Sequence, residues 1–206
     1  QRVQRVIRDA INRRYDMIHY LYTIFYEATV TGLPLMRPMW MQFADESDFY
    51  PVETQFMLGN SMLVVPKVKT PSDFLETLQM QEVTFTLPKS ASWYNYYSKQ
   101  VEPVTGTAIT RNLPDLEQAV FIQGGSILPV LLHDDCMALS KCYWNMIKLE
   151  VYLDSTGKAE GALYTDDGVS FEHVDKSSYA SVAYTFNGGL QSSRVSNPDK
   201  YTFPTS

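Results

Sequence analysis

The feature that most constrains this chain is its first thirty residues. Apolar side chains at Val3, Val6, Ile7, Ala10, Ile11, Ile18, Leu21, Ile24, Phe25 and Ala28 recur at spacings of three and four, the signature of a helix with one buried face. Arg2, Arg5, Arg8, Arg13 and Arg14 fall mostly off that stripe. With Asp9, Asp16 and an aromatic second half beside them, they read as a solvated face rather than a membrane-binding one. Gly32 followed by Pro34 ends the helix: glycine accepts the left-handed cap, and proline cannot continue the hydrogen-bond ladder. A helix so long and so aromatic needs a partner surface larger than the β segment that follows it. The expectation is that it packs on a part of the protein preceding Gln1. The chain opens inside a helical pattern and closes on a strand-like run at 201–206, so both ends read as cuts in a longer protein.

Beyond Gly32 the pattern changes. Pro34 and Pro38 bias their predecessors away from helix, so residues 33–43 are expected to be extended, with an acidic turn over 44–50. Residues 55–65 predict a hairpin turning at Gly59-Asn60. Short strands are then predicted at 82–87, 92–97, 107–111, 119–122, 126–132, 146–153, 161–165, 170–173 and 180–186. Short strands separated by Gly, Pro, Asn and Asp argue for one or two sandwiches. Asp166-Asp167-Gly168 predicts a tight hairpin turn between Tyr164 and Phe171. Residues 136–144 read as a loop dividing two sandwiches.

With 206 residues, 45% hydrophobic and 19% charged, the chain has the composition of a folded protein rather than a disordered one. A net charge of −6 without a basic run makes it a poor nucleic-acid binder, since phosphate neutralisation needs clustered Lys and Arg. The most apolar run, 119–132, is interrupted by Gln123, Gly124, Gly125 and Pro129 and is too short for a membrane span. Cys136 and Cys142 make neither a zinc site nor a disulfide framework. Two free thiols are the favoured reading, and a bridge closing one small loop stays open.

Glycoside cleavage needs two carboxylates about 5 to 10 Å apart. Asp134-Asp135 and Asp166-Asp167 are the acidic doublets, and turn chemistry explains both better than an acid/base pair. A calcium site at Asp166-Asp167 is the lesser alternative. His19, His133 and His173 lack metal-ligand spacing, and His19 reads as a satisfied buried histidine. Gly124-Gly125 reads as a bulge or a close backbone approach. Trp93-Tyr94-Asn95-Tyr96-Tyr97 alternates at strand period. A sugar platform is conceivable there, but a core tryptophan with a tyrosine rim is preferred. Arg37, between Met36 and Pro38, is expected to be a structural anchor with carboxylate or carbonyl partners. The alternative is a stem on the surface with its head in water. The residues thus assign no catalytic, cofactor-binding or metal-binding side chain.

Five motifs, in order, resemble glycoside hydrolase family 31, the α-glucosidase and α-xylosidase family. They are Arg14-Tyr15 with Tyr20 to Ala28; Gly32 to Trp40 with Met36-Arg37-Pro38; Gln55 to Gly59 running into Leu63-Val64-Val65-Pro66; Phe121 to Pro129; and Leu163 to Phe171. The last fits best with the endoplasmic-reticulum α-glucosidase II subfamily. In place of the family's usual Leu-Leu-Pro-Tyr, the helix carries Met17-Ile18-His19-Tyr20, and loss of that proline predicts a straighter helix.

The resemblance implies a mainly β chain with a long N-terminal helix. Residues 1–45 would be the C-terminal end of a (β/α)8 (TIM) barrel, 46–140 a proximal β sandwich and 141–206 part of a distal β domain. It implies a fragment of a retaining exo-α-glucosidase acting on terminal α-linked glucose of N-linked glycans in the endoplasmic-reticulum lumen, with lysosomal or secreted location as the alternative. The oligosaccharide substrate would be held by the barrel, a non-catalytic β subunit would be the partner, and no cofactor is implied. The family's nucleophile and acid/base lie upstream, and Trp40, Trp93 and Trp144 begin no such motif, so no catalytic residue carries over. The rival reading is a non-catalytic carbohydrate-binding or structural β-sandwich module.

Overall fold

The computed structural model describes residues 2–67, 81–104, 106–114, 117–132 and 147–196. The described chain is mainly β, with a few helices and no closed barrel among the described residues. It divides into two compact units: Gln1–Leu33 with Gly125–Ser206, and Pro34–Gly124.

The N-terminal helix is not continuous. Helix α1 (Arg2–Asp16) and helix α2 (Ile18–Thr31) are separated by Met17, at φ −90° and ψ 4°. Hydrogen bonds from Met17 N–H to Arg13 C=O (3.2 Å) and from Leu21 N–H to Met17 C=O (2.9 Å) run through the break. One residue in the bridge region thus interrupts the helix where the family's proline is absent, while the hydrogen-bond ladder continues across it. The C-terminus ends as its residues dictate. Gly32 takes φ 75° and returns its N–H to Ala28 C=O.

The Pro34–Gly124 unit begins with β1 (Met36–Pro38) and a single helical turn, α3 (Met39–Gln42). The expectation of an extended arm through Phe43 holds only as far as Pro38. Proline restricts the residue before it, not those after it, and Phe43 N–H closes the turn on Met39 C=O at 2.9 Å. A 3₁₀ turn at Ser47–Phe49 follows. Strands β2 (Phe56–Leu58) and β3 (Met62–Val65) form the expected hairpin, with Gly59 at φ 64°. Then come β4 (Gln81–Phe85), β5 (Trp93–Asn95), β6 (Val101–Glu102), β7 (Ile109–Leu113) and β8 (Ala119–Gln123). One sheet runs β1-β2-β3-β8-β5-β6, and β4 pairs with β7 in a separate ribbon. Between them lies a core that includes Met39, Phe49, Met57, Leu63, Trp93 and Phe121. Arg111 on β7 grips the buried Glu102 on β6 with two parallel bonds, 2.8 and 2.7 Å, the fork geometry that makes guanidinium–carboxylate pairs specific. That bond and the attraction of Glu102 push the arginine pKa up, against partial burial.

In the other unit, β9 (Ser126–Leu131), β10 (Ile147–Tyr152), β11 (Lys158–Thr165), β12 (Ala180–Asn187) and β13 (Leu190–Arg194) form a sheet in the order β10-β9-β11-β12-β13. Gly124-Gly125 is a turn between β8 and β9 rather than a bulge, with Gly125 at φ 91°. Two further expectations fail between β11 and β12. The hairpin is not tight: Thr165 pairs with Ala180, and residues 166–179 form the connection. The strand expected at 170–173 is instead the short helix α4 (Glu172–Asp175). Asp167 accepts the N–H groups of Val169 and Ser170, and such local side-chain bonds compete with strand pairing. Helix α2 packs over β9 and β11. The aromatic half of the helix thus finds part of its partner surface far downstream in this chain, a contact that no local pattern in the sequence indicates. Ile7, Ile11, Phe25 and Val30 remain exposed.

Candidate functional site

The acidic doublet that follows β11 separates into two roles. Asp166 is 2% exposed. Its Oδ1 accepts the Tyr22 hydroxyl at 2.7 Å and Gly168 N–H at 2.8 Å, and its Oδ2 accepts the Tyr164 hydroxyl at 2.9 Å. His173 Nδ1 lies 3.8 Å from Oδ2. The Tyr26 ring stacks on Tyr164 at 3.9 Å, and Tyr179 closes the ring group 5.4 Å from Tyr164. Thr23 extends the seam: its hydroxyl donates to His19 C=O at 2.7 Å and accepts Tyr164 N–H at 3.0 Å. Burial, and then the bond to Asp166, push the Tyr164 phenol far above its ordinary pKa, so it stays a donor. Burial and the Tyr179 hydroxyl raise Tyr26 as well. Asp167 is a turn carboxylate, held below the usual range by the Ser170 hydroxyl and then the N–H groups of Val169 and Ser170.

This arrangement docks a helix on a sheet. Asp166 Oδ1 already accepts two hydrogen bonds and Oδ2 one, which uses most of the carboxylate's acceptor capacity for holding the helix. Among the described residues no group of three or more His, Cys, Asp or Glu forms a metal-binding cluster. Asp166→Asn should cost about 1–3 kcal/mol, because an amide cannot accept at both positions and leaves a buried phenol facing a donor. Urea unfolding checks this, and Tyr22→Phe should cost less, about 0.5–1.5 kcal/mol. Losses below about 0.5 kcal/mol for Asp166→Asn, the range of an ordinary surface site, would mean that the phenols find other acceptors.

The remaining candidates fall into place one by one. His19 is buried on α2 and His173 lies on α4. His133, Asp134, Asp135, Cys136, Cys142 and Trp144 lie outside the described residues. Trp93 is 0% exposed and donates its indole N–H to Pro88 C=O at 3.0 Å. It is core, and the rim consists of Tyr96 and Tyr97, edge to face at 5.2 Å, with Lys99 Nζ 4.5 Å from the Tyr96 ring centre.

Arg37 is 8% exposed, which overturns the surface alternative. Its Nε donates to Pro34 C=O at 3.0 Å and its Nη1 to Gln42 Oε1 at 3.2 Å. These are carbonyl partners, as expected of an arginine anchored without a carboxylate. It lines an open cavity of about 300 Å³ together with Met36, Trp40, Tyr50 and Glu53. Sequence reasoning singled out Arg37 but not Tyr50 or Glu53. Nearby, Gln55 is buried and exchanges two hydrogen bonds with the Thr86 backbone, at 2.8 and 3.0 Å.

Residues 32–128 match the Glycosyl hydrolase family 31 C-terminal domain. The chain belongs to glycosyl hydrolase family 31. An uncharacterized family 31 glucosidase of Schizosaccharomyces pombe is 34% identical over 182 residues, 88% of this chain and 17% of that protein. A crystal structure of the glucosidase II alpha subunit, bound to alpha3-Glc2, superposes with a TM-score of 0.81 at 27% identity, over 96% of this chain and 21% of that one. The catalytic subunit in the heterodimeric ER glucosidase II complex, solved with the binding domain of its regulatory subunit, gives the same values. The chain spans about a fifth of the length of these family 31 relatives.

Proposed function

We propose that this chain is a non-catalytic β module of a family 31 glycosidase, carrying the helix and sheets that support a catalytic barrel encoded elsewhere in a longer protein. One observation carries the reading: the match to the family's C-terminal domain covers residues 32–128, a stretch built of antiparallel sheet around a packed core. The state of Asp166 and Asp167 agrees with it, since both serve as acceptors that hold structure. In this reading residues 1–45 are the C-terminal end of the barrel, 46–140 the proximal sandwich and 141–206 part of the distal β domain.

The longer protein is a retaining α-glucosidase. It removes terminal α-linked glucose by double displacement between two carboxylates, acts on N-linked glycans in the endoplasmic-reticulum lumen, and pairs with a non-catalytic β subunit. The likeness to the glucosidase II alpha subunit, including its heterodimeric form, supports this assignment. The 206-residue chain should give no turnover of a chromogenic α-glucoside above an inactive-protein control. In the longer protein, core substitutions in this module should lower the melting temperature while leaving kcat/KM unchanged below it. Turnover by the chain itself would overturn the reading.

A further inference from the structure

The cavity beside Arg37 has properties that the supporting role does not require. Arg37 is more than nine-tenths buried, yet its two hydrogen bonds go to carbonyl oxygens and, among the described residues, it has no carboxylate partner. Its other guanidinium N–H groups bond to no described residue and are not sealed from solvent, so donors stand available where Arg37 borders the cavity. Glu53 lines the same cavity, is exposed, and pairs with neither Arg37 nor any other described cation. Two large rings stand in solvent at this place, Trp40 at 48% and Tyr50 at 58% exposure, with Met36 at 59% beside them. The Tyr50 ring is held, because its hydroxyl donates to Ala44 C=O at 2.7 Å.

We infer that this cavity is a non-catalytic binding site for a neutral pyranose unit of an oligosaccharide. The argument is one of matching chemistry. A pyranose has a weakly polar C–H face and a ring of hydroxyls that both donate and accept. Exposed indole and phenol rings suit the face, since aromatic side chains combine apolar area with a polar tip. A fixed guanidinium supplies donors and a free carboxylate supplies acceptors. A purely anionic ligand would face Glu53, and a cationic one would face Arg37. A neutral ligand uses both. The volume, about 300 Å³, lies at the small end of ligand pockets, which run from roughly 300 Å³ upward, and suits one sugar ring with part of a second.

The test is a titration of the full 206-residue chain with maltotriose and with isomaltotriose, followed by tryptophan fluorescence and by calorimetry. Saturable binding with a Kd on the order of 1 mM is expected. Trp40→Ala should weaken it at least about tenfold, the loss usual for a central aromatic contact. Glu53→Gln should weaken it less. Both side chains are outside the core, so far-UV circular dichroism should be unchanged. Absence of saturable binding would overturn the inference, as would binding that Trp40→Ala leaves intact. A response to acetate but not to either sugar would make this a carboxylate pocket for a protein partner and would also overturn it. Because the readout is binding, its failure is separate from that of the non-catalytic reading, which only turnover can overturn.

Discussion

Gly161→Val should unfold the β9–β11 sheet or cost about 3–5 kcal/mol, the upper range for overpacking a well-filled site. A Cβ at Gly161 would stand 2.1 Å from the Ile127 carbonyl oxygen and 2.9 Å from its carbon. The obstacle is backbone, so no side-chain rotation relieves it. The approach is imposed by pairing: Glu160, one residue before, registers with Ser126, one residue before Ile127, and donates its N–H to Gly125 C=O at 2.9 Å. Gly157→Ala is the informative comparison. Gly157 has φ 79° and nothing within 4 Å of the added carbon, so alanine there meets only the left-handed penalty of about 1–2 kcal/mol. Urea unfolding of both variants separates the two costs, and a loss below about 1 kcal/mol for Gly161→Val, the level of an average substitution, would show that the strands can part without harm.

Trp93→Ala is the second large effect, about 3–5 kcal/mol, the usual cost of deleting a buried large aromatic. Trp93 registers with Glu102 on one side and Gln123 on the other, and its ring lies 6.0 Å from Phe43, tilted. Trp93→Phe keeps most of the packing but strands the Pro88 carbonyl, so about 1–3 kcal/mol is expected from the lost buried bond. Denaturant midpoints order the three proteins. Equal losses for alanine and phenylalanine would place the energy in the hydrogen bond instead of the packing.

The sequence made some of this fold legible and hid the rest for identifiable reasons. The Gly59-Asn60 hairpin and the strands containing Leu63, Phe121 and Ile127 follow from turn chemistry and apolar runs, both local signals. The interruption at Met17 has no local signal, because methionine is a good helix former and the departure is one residue wide. Asp166-Asp167-Gly168 reads locally as a primed turn, yet Asp166 is drawn inward by Tyr22 and Tyr164, and Tyr22 lies 144 positions away. No window over the sequence connects those two. Gly161 was read as the start of a strand. Its place inside β11, against Ile127, emerges only once the strands pair. The family could be read from motif order even though the partner of the aromatic helix could not, because motif order needs no knowledge of contacts. The Arg37 cavity was legible only at Arg37, since Tyr50 and Glu53 carry no distinguishing pattern.

The bond from Tyr22 to Asp166 has a consequence for how the chain is made. A ribosome adds roughly 5 to 20 residues per second, so the 144-residue separation corresponds to a delay on the order of 10 s between the emergence of α2 and that of the strand it docks on. During that interval the whole Pro34–Gly124 unit is synthesised and can close, because even its long-range pairing of β3 with β8, Met62 opposite Ile122, lies within it. The aromatic face of α2 meanwhile has no β11 to cover it. Its rings are then the surface most in need of a chaperone, and nascent chains arrested before residue 166 are where that need would be greatest.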